Sequence, residues 1–172
     1  LLSKKGSFSD NVLTTIGLDT DRIISKCGDP DPTKKNGWDR KGLVIGSVQS
    51  GKTANYIALI TKAADLGYKV IIVIAGRDNN LREQTQKRIN DGFIKPKIII
   101  NDVKEPVSIT DKFDFDAPAL ERLKFSRDEK PVVAVIKKNT NVLNNVKSYF
   151  SSSKLFRDGK INLPMILIDD EA

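Results

Sequence analysis

Hydrophobic residues in this chain form short continuous runs that alternate with longer stretches in which they recur at helical spacing. The clearest run, 69–75, is apolar at nearly every position, which is typical of a strand buried on both faces of a parallel sheet. Other strands are predicted at 43–45, 97–100, 132–136 and 165–168, and helices at 8–27, 54–66, 80–90, 118–125 and 140–150. This alternation predicts an α/β fold in which a parallel sheet carries helices on both faces. We divide the chain into a helical N-terminal lead-in, 1–37, and an α/β domain, 38–172.

The stretch 46–53, Gly-Ser-Val-Gln-Ser-Gly-Lys-Thr, fits the phosphate-binding pattern G-x-x-x-x-G-K-[S/T] and lies between a predicted strand and a predicted helix. Gly46 and Gly51 allow a backbone that a Cβ would block, so that the loop amides point at phosphate oxygens. Lys52 would supply a charge for the phosphates, and Thr53 a hydroxyl for Mg²⁺. The predicted nucleotide-binding residues are Gly46, Val48, Gln49, Ser50, Gly51, Lys52, Thr53 and Ala54. The alternative is a glycine-rich turn that binds no ligand.

The last predicted strand runs directly into the acidic residues Asp169, Asp170 and Glu171. An apolar strand that ends in acids, downstream of a phosphate-binding loop, is typical of a Walker B element. We predict that Asp170 holds Mg²⁺ and that Glu171 orients and deprotonates the attacking water. Asp169 takes the place of Asp170 if the register is shifted by one residue. The alternative is that these acids are ordinary solvated carboxylates at a strand end. Together, the Walker B element and the loop predict a RecA-like P-loop NTPase with ATP and Mg²⁺ as cofactors.

Composition narrows the chemistry further. The 172 residues carry a formal net charge of +7, which favours polyanionic partners. The chain has no histidine, so it contains no histidine-dependent triad, histidine metal ligand or histidine general base. Its single cysteine, Cys27, fits a reducing cytoplasm and a small buried helix residue. No apolar run reaches the roughly 20 residues of a membrane span, so we expect a cytoplasmic protein without a membrane partner.

Several basic and amide residues follow the predicted strands. The segment 75–84, Ala-Gly-Arg-Asp-Asn-Asn-Leu-Arg-Glu-Gln, resembles motif Ia of superfamily-two helicases, where a strand gives way to a turn that grips the nucleic-acid backbone. Asp170-Glu171-Ala172 likewise resembles the start of their D-E-A-D/H box. The candidate nucleic-acid contacts are Arg77, Asn80, Arg82, Lys137 and Lys138. A solvated basic surface is the alternative for these residues, and Trp38 could either stack on a base or pack beside the strand.

A closer resemblance is to the Z-one domain proteins of bacteria. It rests on the segments Trp38-Asp39-Arg40-Lys41-Gly42-Leu43-Val44-Ile45-Gly46, Val48-Gln49-Ser50-Gly51-Lys52-Thr53-Ala54-Asn55-Tyr56, Asn80-Leu81-Arg82-Glu83-Gln84-Thr85-Gln86, Val135-Ile136-Lys137-Lys138-Asn139 and Ile168-Asp169-Asp170-Glu171-Ala172. That family has a helicase-like core, carries an endonuclease label and is associated with restriction–modification and phage-defence loci. The resemblance implies an ATP-hydrolysing lobe of a DNA-directed helicase-like or translocase-like enzyme, with defence-system proteins as partners.

This resemblance also implies parts that the chain does not supply. Helicase-type motors use a second lobe, and in this class of sheet a further strand lies between the phosphate-loop strand and the Walker B strand. We therefore expect an N-terminal fragment of a longer protein, truncated after the Walker B strand and nearly inactive alone. Any nuclease region is expected elsewhere, since only Asp128-Glu129-Lys130 hints at a metal nuclease here. The alternatives are a P-loop small-molecule or nucleotide kinase and a non-catalytic nucleic-acid-binding module.

Overall fold

A computed structural model of the chain describes residues 9–31, 39–45, 51–94, 106–112, 114–116, 130–152, 156–157 and 159–170. The helices are α1 Asp10–Ile24, α2 Lys52–Leu66, α3 Asn79–Ile89, which continues as a π-helical turn, Asn90–Ile94, and α4 Thr140–Ser152. The strands are β1 Val70–Ala75, β2 Val107–Ser108, β3 Val132–Lys137, β4 Phe156–Arg157, β5 Lys160–Ile161 and β6 Met165–Asp169. The predicted α/β class is confirmed.

The main sheet has four parallel strands in the order β2-β3-β1-β6. Val70 of β1 is level with Val132 of β3 and with Met165 of β6, so the three strands start together. A separate antiparallel pair, β4 and β5, precedes β6. Parallel strands require long crossovers, which α3 and α4 help to supply.

Strand β1 is the centre of the sheet because its sequence, Val-Ile-Ile-Val-Ile-Ala, is buried at every position. Alternate residues point to opposite faces. On one face Ile71, Val73 and Ala75 pack with α2 and α3 in the first core cluster. On the other face Val70, Ile72 and Ile74 pack with α4 in the second core cluster. The predicted placement of helices on both faces of a parallel sheet is therefore confirmed.

Helix α2 lies between two glycines in the left-handed backbone conformation, Gly51 with φ 73° and Gly67 with φ 106°. Helix α1 packs against it, and the Lys62 ammonium bonds both the Asp21 carboxylate and the Gly17 carbonyl. The helical lead-in thus packs on the α/β core.

Two ionisable groups lie partly buried beside this contact. The Tyr68 hydroxyl, just beyond α2, donates to the Gly28 carbonyl, and burial raises the pKa of Tyr68 to about 12. Burial likewise raises the pKa of the Cys27 thiol, which is partly buried beside the first core cluster.

Helix α3 begins differently from the sequence prediction. Its N-cap is Asp78, whose carboxylate accepts a hydrogen bond from the Leu81 amide at 2.8 Å, and Asn80, the predicted cap, lies in the first helical turn. Both residue types accept helix N–H groups well, and the chain uses the aspartate at the end of the turn.

A buried polar network joins α3 to the outer edge of β3. Strand β2 ends at Ser108, and beyond it the Thr110 hydroxyl accepts a hydrogen bond from the Val135 amide at 2.7 Å. The same hydroxyl donates to Gln86 Oε1 at 2.9 Å. A threonine side chain therefore continues the hydrogen-bond ladder after the neighbouring strand has ended, and helix α3 is attached to the sheet through it.

The predicted strand 43–45 is not formed, which corrects the sequence analysis. The segment has no regular secondary structure, and Leu43 and Ile45 are 76% and 88% exposed. A parallel strand needs a hydrogen-bonded neighbour. Among the described residues β6 is an edge strand, with Leu167 51% exposed, and the segment 43–45 does not pair with it.

Two further predicted strands are formed, and three other predictions fall on residues outside the described part of the chain. Strand 132–136 and strand 165–168 are confirmed as β3 and β6. The predicted strand 97–100, the predicted helix 118–125 and Trp38 lie outside the described residues. Within the part of the chain that the structure describes, no helix combines the length and apolar character that a membrane span requires.

Replacing Thr110 with valine tests the buried network. The substitution keeps the β-branched shape but leaves the buried Val135 amide and the Gln86 oxygen without a partner, so we expect a loss of about 1–3 kcal/mol in the free energy of unfolding. The matched control is Thr14→Val on α1, where an exposed threonine bonds only its own helix. Urea unfolding of both variants measures the difference. Equal stabilities would show that the network does not hold α3 to the sheet.

Candidate functional site

The carboxyl ends of β1, β3 and β6 meet along one edge of the sheet. Ala75 is level with Lys137, and Ile74 is level with Asp169. Backbone bonds extend the alignment past the strands, because the Asp170 amide donates to the Ile74 carbonyl at 3.0 Å and the Lys138 amide to the Gly76 carbonyl at 2.9 Å. The chain thus places the residues that follow three different strands beside one another, where open α/β sheets bind ligands.

The second half of the predicted phosphate loop lies at the start of α2. Gly51 takes a left-handed backbone that residues with a Cβ rarely adopt, and the helix begins directly after it at Lys52. The Lys52 side chain is exposed, and Thr53 follows it in the first turn, where the helix has N–H groups without helical partners. Gly46, Val48, Gln49 and Ser50 lie outside the described residues, as does Glu171.

Tyr56 connects the start of α2 with the acids that follow β6. The residue is 6% exposed, and its hydroxyl makes no hydrogen bond among the described residues. Burial raises the pKa of this hydroxyl, and the negative charge of Asp170 raises it further, whereas nearby Thr53, Thr85 and Arg88 lower it. Thr53 lies three residues before Tyr56 and so shares its face of α2, and the effect of the Asp170 charge on this hydroxyl connects that face with the end of β6.

The two aspartates after β6 differ in their surroundings. Asp169 is paired through Oδ2 with the Lys138 ammonium at 2.9 Å. It is level with Ile74, on the face of the sheet that packs against α4. Asp170 comes one residue later, and alternation directs it to the opposite face, towards α2 and α3. The structure therefore favours Asp170 over Asp169 as the acid on the side of Thr53.

The donor set at this position suits Mg²⁺ and a phosphate. The Thr53 hydroxyl and the Asp170 carboxylate are hard oxygen ligands of the kind that Mg²⁺ prefers. The positive end of α2 attracts phosphate, and the buried Tyr56 hydroxyl beside it has no hydrogen-bond partner among the described residues. Among the described residues no group of three or more acidic or cysteine side chains forms a metal cluster. Of the trio Asp128-Glu129-Lys130, the two acids lie outside the described residues.

The predicted nucleic-acid contacts fall into two groups. Arg77 and Asn80 are exposed at the turn after β1 and in the first turn of α3. Lys137 and Lys138 lie at the same edge, but each faces a carboxylate: the Lys137 ammonium is 3.7 Å from Asp114 Oδ2, and Lys138 pairs with Asp169. These ion pairs reduce the positive charge that the two lysines present to a polyanion.

Arg82 corrects the sequence analysis. It is 4% exposed, and its guanidinium donates to the Thr110 carbonyl at 3.0 Å, so it is a structural residue of the α3 network rather than a surface phosphate contact. Helical spacing explains the burial, because Arg82, Thr85, Gln86 and Ile89 share the face of α3 that packs on the sheet.

Two residues near the candidate site were not found from the sequence. Tyr56 follows Thr53 by one helical turn, so helical spacing predicts that they share a face, but its buried hydroxyl has no sequence signal. Arg88 lies 35 residues from Thr53, and its guanidinium donates to the Thr53 hydroxyl at 3.3 Å. Only the folded chain shows this contact.

Comparison of the chain with protein-family models, with curated proteins and with solved structures found no match.

Proposed function

We propose that this chain is the ATP-binding lobe of a DNA-directed, helicase-like or translocase-like ATPase with a RecA-like P-loop core. The observation that carries the proposal is the position of Asp170 after β6, where its amide bonds the Ile74 carbonyl, together with helix α2, which begins directly after the phosphate-binding sequence and packs on the sheet. The resemblance to Z-one domain proteins supports it and suggests a role in restriction or phage defence.

In this proposal each residue has a distinct task. Lys52 and the amides at the start of α2 bind the triphosphate, because the lysine charge and the helix N-terminus both attract phosphate oxygens. Thr53 and Asp170 would hold Mg²⁺, which neutralises phosphate charge when bound. Glu171, immediately after Asp170, is the proposed base that takes a proton from the attacking water. Tyr56, whose pKa burial raises from a value already above neutrality, would be an uncharged neighbour of the phosphates.

The DNA-directed part of the proposal rests on Arg77 and Asn80. They are exposed at the carboxyl edge, where the turn after β1 meets the first turn of α3. An arginine and an amide beside a helix N-terminus suit a phosphate backbone. The chain's net charge of +7 adds general attraction to a polyanion.

The alternatives make different predictions about activity. A P-loop kinase that acts on a nucleotide or another small molecule would bind ATP without responding to DNA. A non-catalytic nucleic-acid-binding module would bind DNA with a strong dependence on salt and would have no affinity for nucleotide. Measuring nucleotide binding in the presence and absence of DNA separates these alternatives from the proposed function.

Lys52→Ala tests the phosphate site. Removal of a charge-assisted contact to phosphate should weaken binding of a fluorescent ATP analogue, measured by anisotropy with excess Mg²⁺, by at least about tenfold. Lys147→Ala on α4 removes the same charge from an exposed position on the other side of the sheet and serves as the control. If the two variants bind equally well, Lys52 does not contact the nucleotide.

Asp170→Asn and Asp169→Asn test the assignment of the metal ligand. The first substitution should remove most of the gain in nucleotide affinity that Mg²⁺ gives, lowering that gain by about tenfold, because an amide ligates Mg²⁺ far less well than a carboxylate. The second breaks the partly exposed pair with Lys138 and should change the gain by less than about fivefold. A stronger effect at Asp169 would reverse the assignment.

Arg77→Gln tests the DNA surface. Loss of one phosphate contact should weaken binding to duplexes of unrelated sequence by a similar factor and reduce the slope of log affinity against log salt by about one. Arg22→Gln, at an exposed arginine in the last turn of α1, changes the net charge equally and should leave the slope unchanged. Identical slopes in the two variants would remove Arg77 from the interface.

A further inference from the structure

Arg88 joins two helices at the candidate nucleotide site. It lies in the last turn of α3, its side chain is exposed, and its Nη1 donates to Thr53 Oγ1 in the first turn of α2 at 3.3 Å. An exposed arginine gains little by bonding a neutral hydroxyl, since water offers equivalent partners. The contact therefore places a positive charge at the phosphate-binding end of α2, and the hydrogen bond alone gives little reason for a cation there.

The surroundings of Arg88 suit a phosphate together with a metal ion. The Tyr56 hydroxyl, buried and without a hydrogen-bond partner among the described residues, lies beside the same threonine and is affected by the charges of both Arg88 and Asp170. Opposite charges thus flank one position beside the helix N-terminus. A guanidinium has five donors in a fork that matches phosphate oxygens, so it is well suited to bind there.

Arg88 and Mg²⁺ would also compete for the same atom. The Thr53 hydroxyl that accepts from Arg88 is the oxygen proposed to ligate the metal. Mg²⁺ binds oxygen at about 2.0–2.1 Å and repels a neighbouring cation, so Arg88 has to leave Thr53 when the metal arrives. Arg88 can therefore remain at Thr53, with its other donors available to the phosphates, only while the metal is absent.

We propose that Arg88 is a nucleotide-binding residue that occupies the Thr53 hydroxyl in the absence of Mg²⁺ and binds the phosphates of a nucleoside triphosphate. This inference rests on the proposed function. It has a specific consequence: the chain binds nucleoside triphosphate without Mg²⁺, and this metal-free binding depends on Arg88 more than binding with Mg²⁺ does.

The test is a titration of wild-type chain, Arg88→Gln and Lys87→Gln with a fluorescent ATP analogue, once with excess Mg²⁺ and once with EDTA. Lys87 is the matched control because it precedes Arg88 on α3, is also exposed and carries the same charge. We expect Arg88→Gln to lose at least about tenfold in affinity in EDTA and less than about threefold in Mg²⁺, and Lys87→Gln to change less than about threefold in both. Arg88→Lys, which keeps the charge, should recover part of the loss in EDTA.

The outcomes separate the two proposals. If wild-type chain binds the analogue but Arg88→Gln and Lys87→Gln behave alike in EDTA, Arg88 has no role and the proposed function stands. If wild-type chain binds the analogue under neither condition, both proposals fail. Thermal unfolding of each variant verifies the fold, and Arg88→Lys provides the same test should Arg88→Gln prove unstable.

Discussion

The parallel pairing of β1 with β3 and β6 is the constraint on which the candidate site depends. Because the strands start at the same level, they also end at the same level, and the residues after each strand are brought to one edge. Without this register, Asp170 would not be held beside the Ile74 carbonyl, nor Lys138 beside the Gly76 carbonyl. The apolar run of β1 places this strand at the centre of the sheet, because it can pack against α2 and α3 on one face and against α4 on the other.

Local patterns predicted the elements whose burial their own sequence specifies. The run at β1 and the similar run at β3 are apolar at successive positions, so they read as strands covered on both faces, and the structure confirms both. Gly51 and Gly67 mark the two ends of α2 because each takes a left-handed backbone conformation there. Asp78 replaced Asn80 as the cap of α3 because both residue types can cap and sequence alone does not choose between neighbours.

Features that depend on distant residues were not predictable in this way. The segment 43–45 has the composition of a strand, but a strand also needs a hydrogen-bonded neighbour, and composition does not show that this segment stays unpaired. Arg82 was predicted as a phosphate contact because it lies in the segment that resembles motif Ia, whereas its position on the buried face of α3 brings it to the Thr110 carbonyl. The contact of Arg88 with Thr53 joins residues from separate helices, so no local pattern contains it.

The distribution of charge along the carboxyl edge argues for where an anion would bind. At the end of β3, Lys137 and Lys138 each face a carboxylate, so their charge serves mainly to hold Asp114 and Asp169 in place. At the start of α2, by contrast, Arg88 donates to a neutral hydroxyl, next to the exposed Lys52 and the positive end of the helix. The lysines on the β3 side are thus paired, whereas the side of α2 and α3 combines the Arg88 and Lys52 charges with the Asp170 carboxylate. A triphosphate with its metal ion would use charges of both signs there, while the exposed turn at Arg77 suits one phosphate of a nucleic acid.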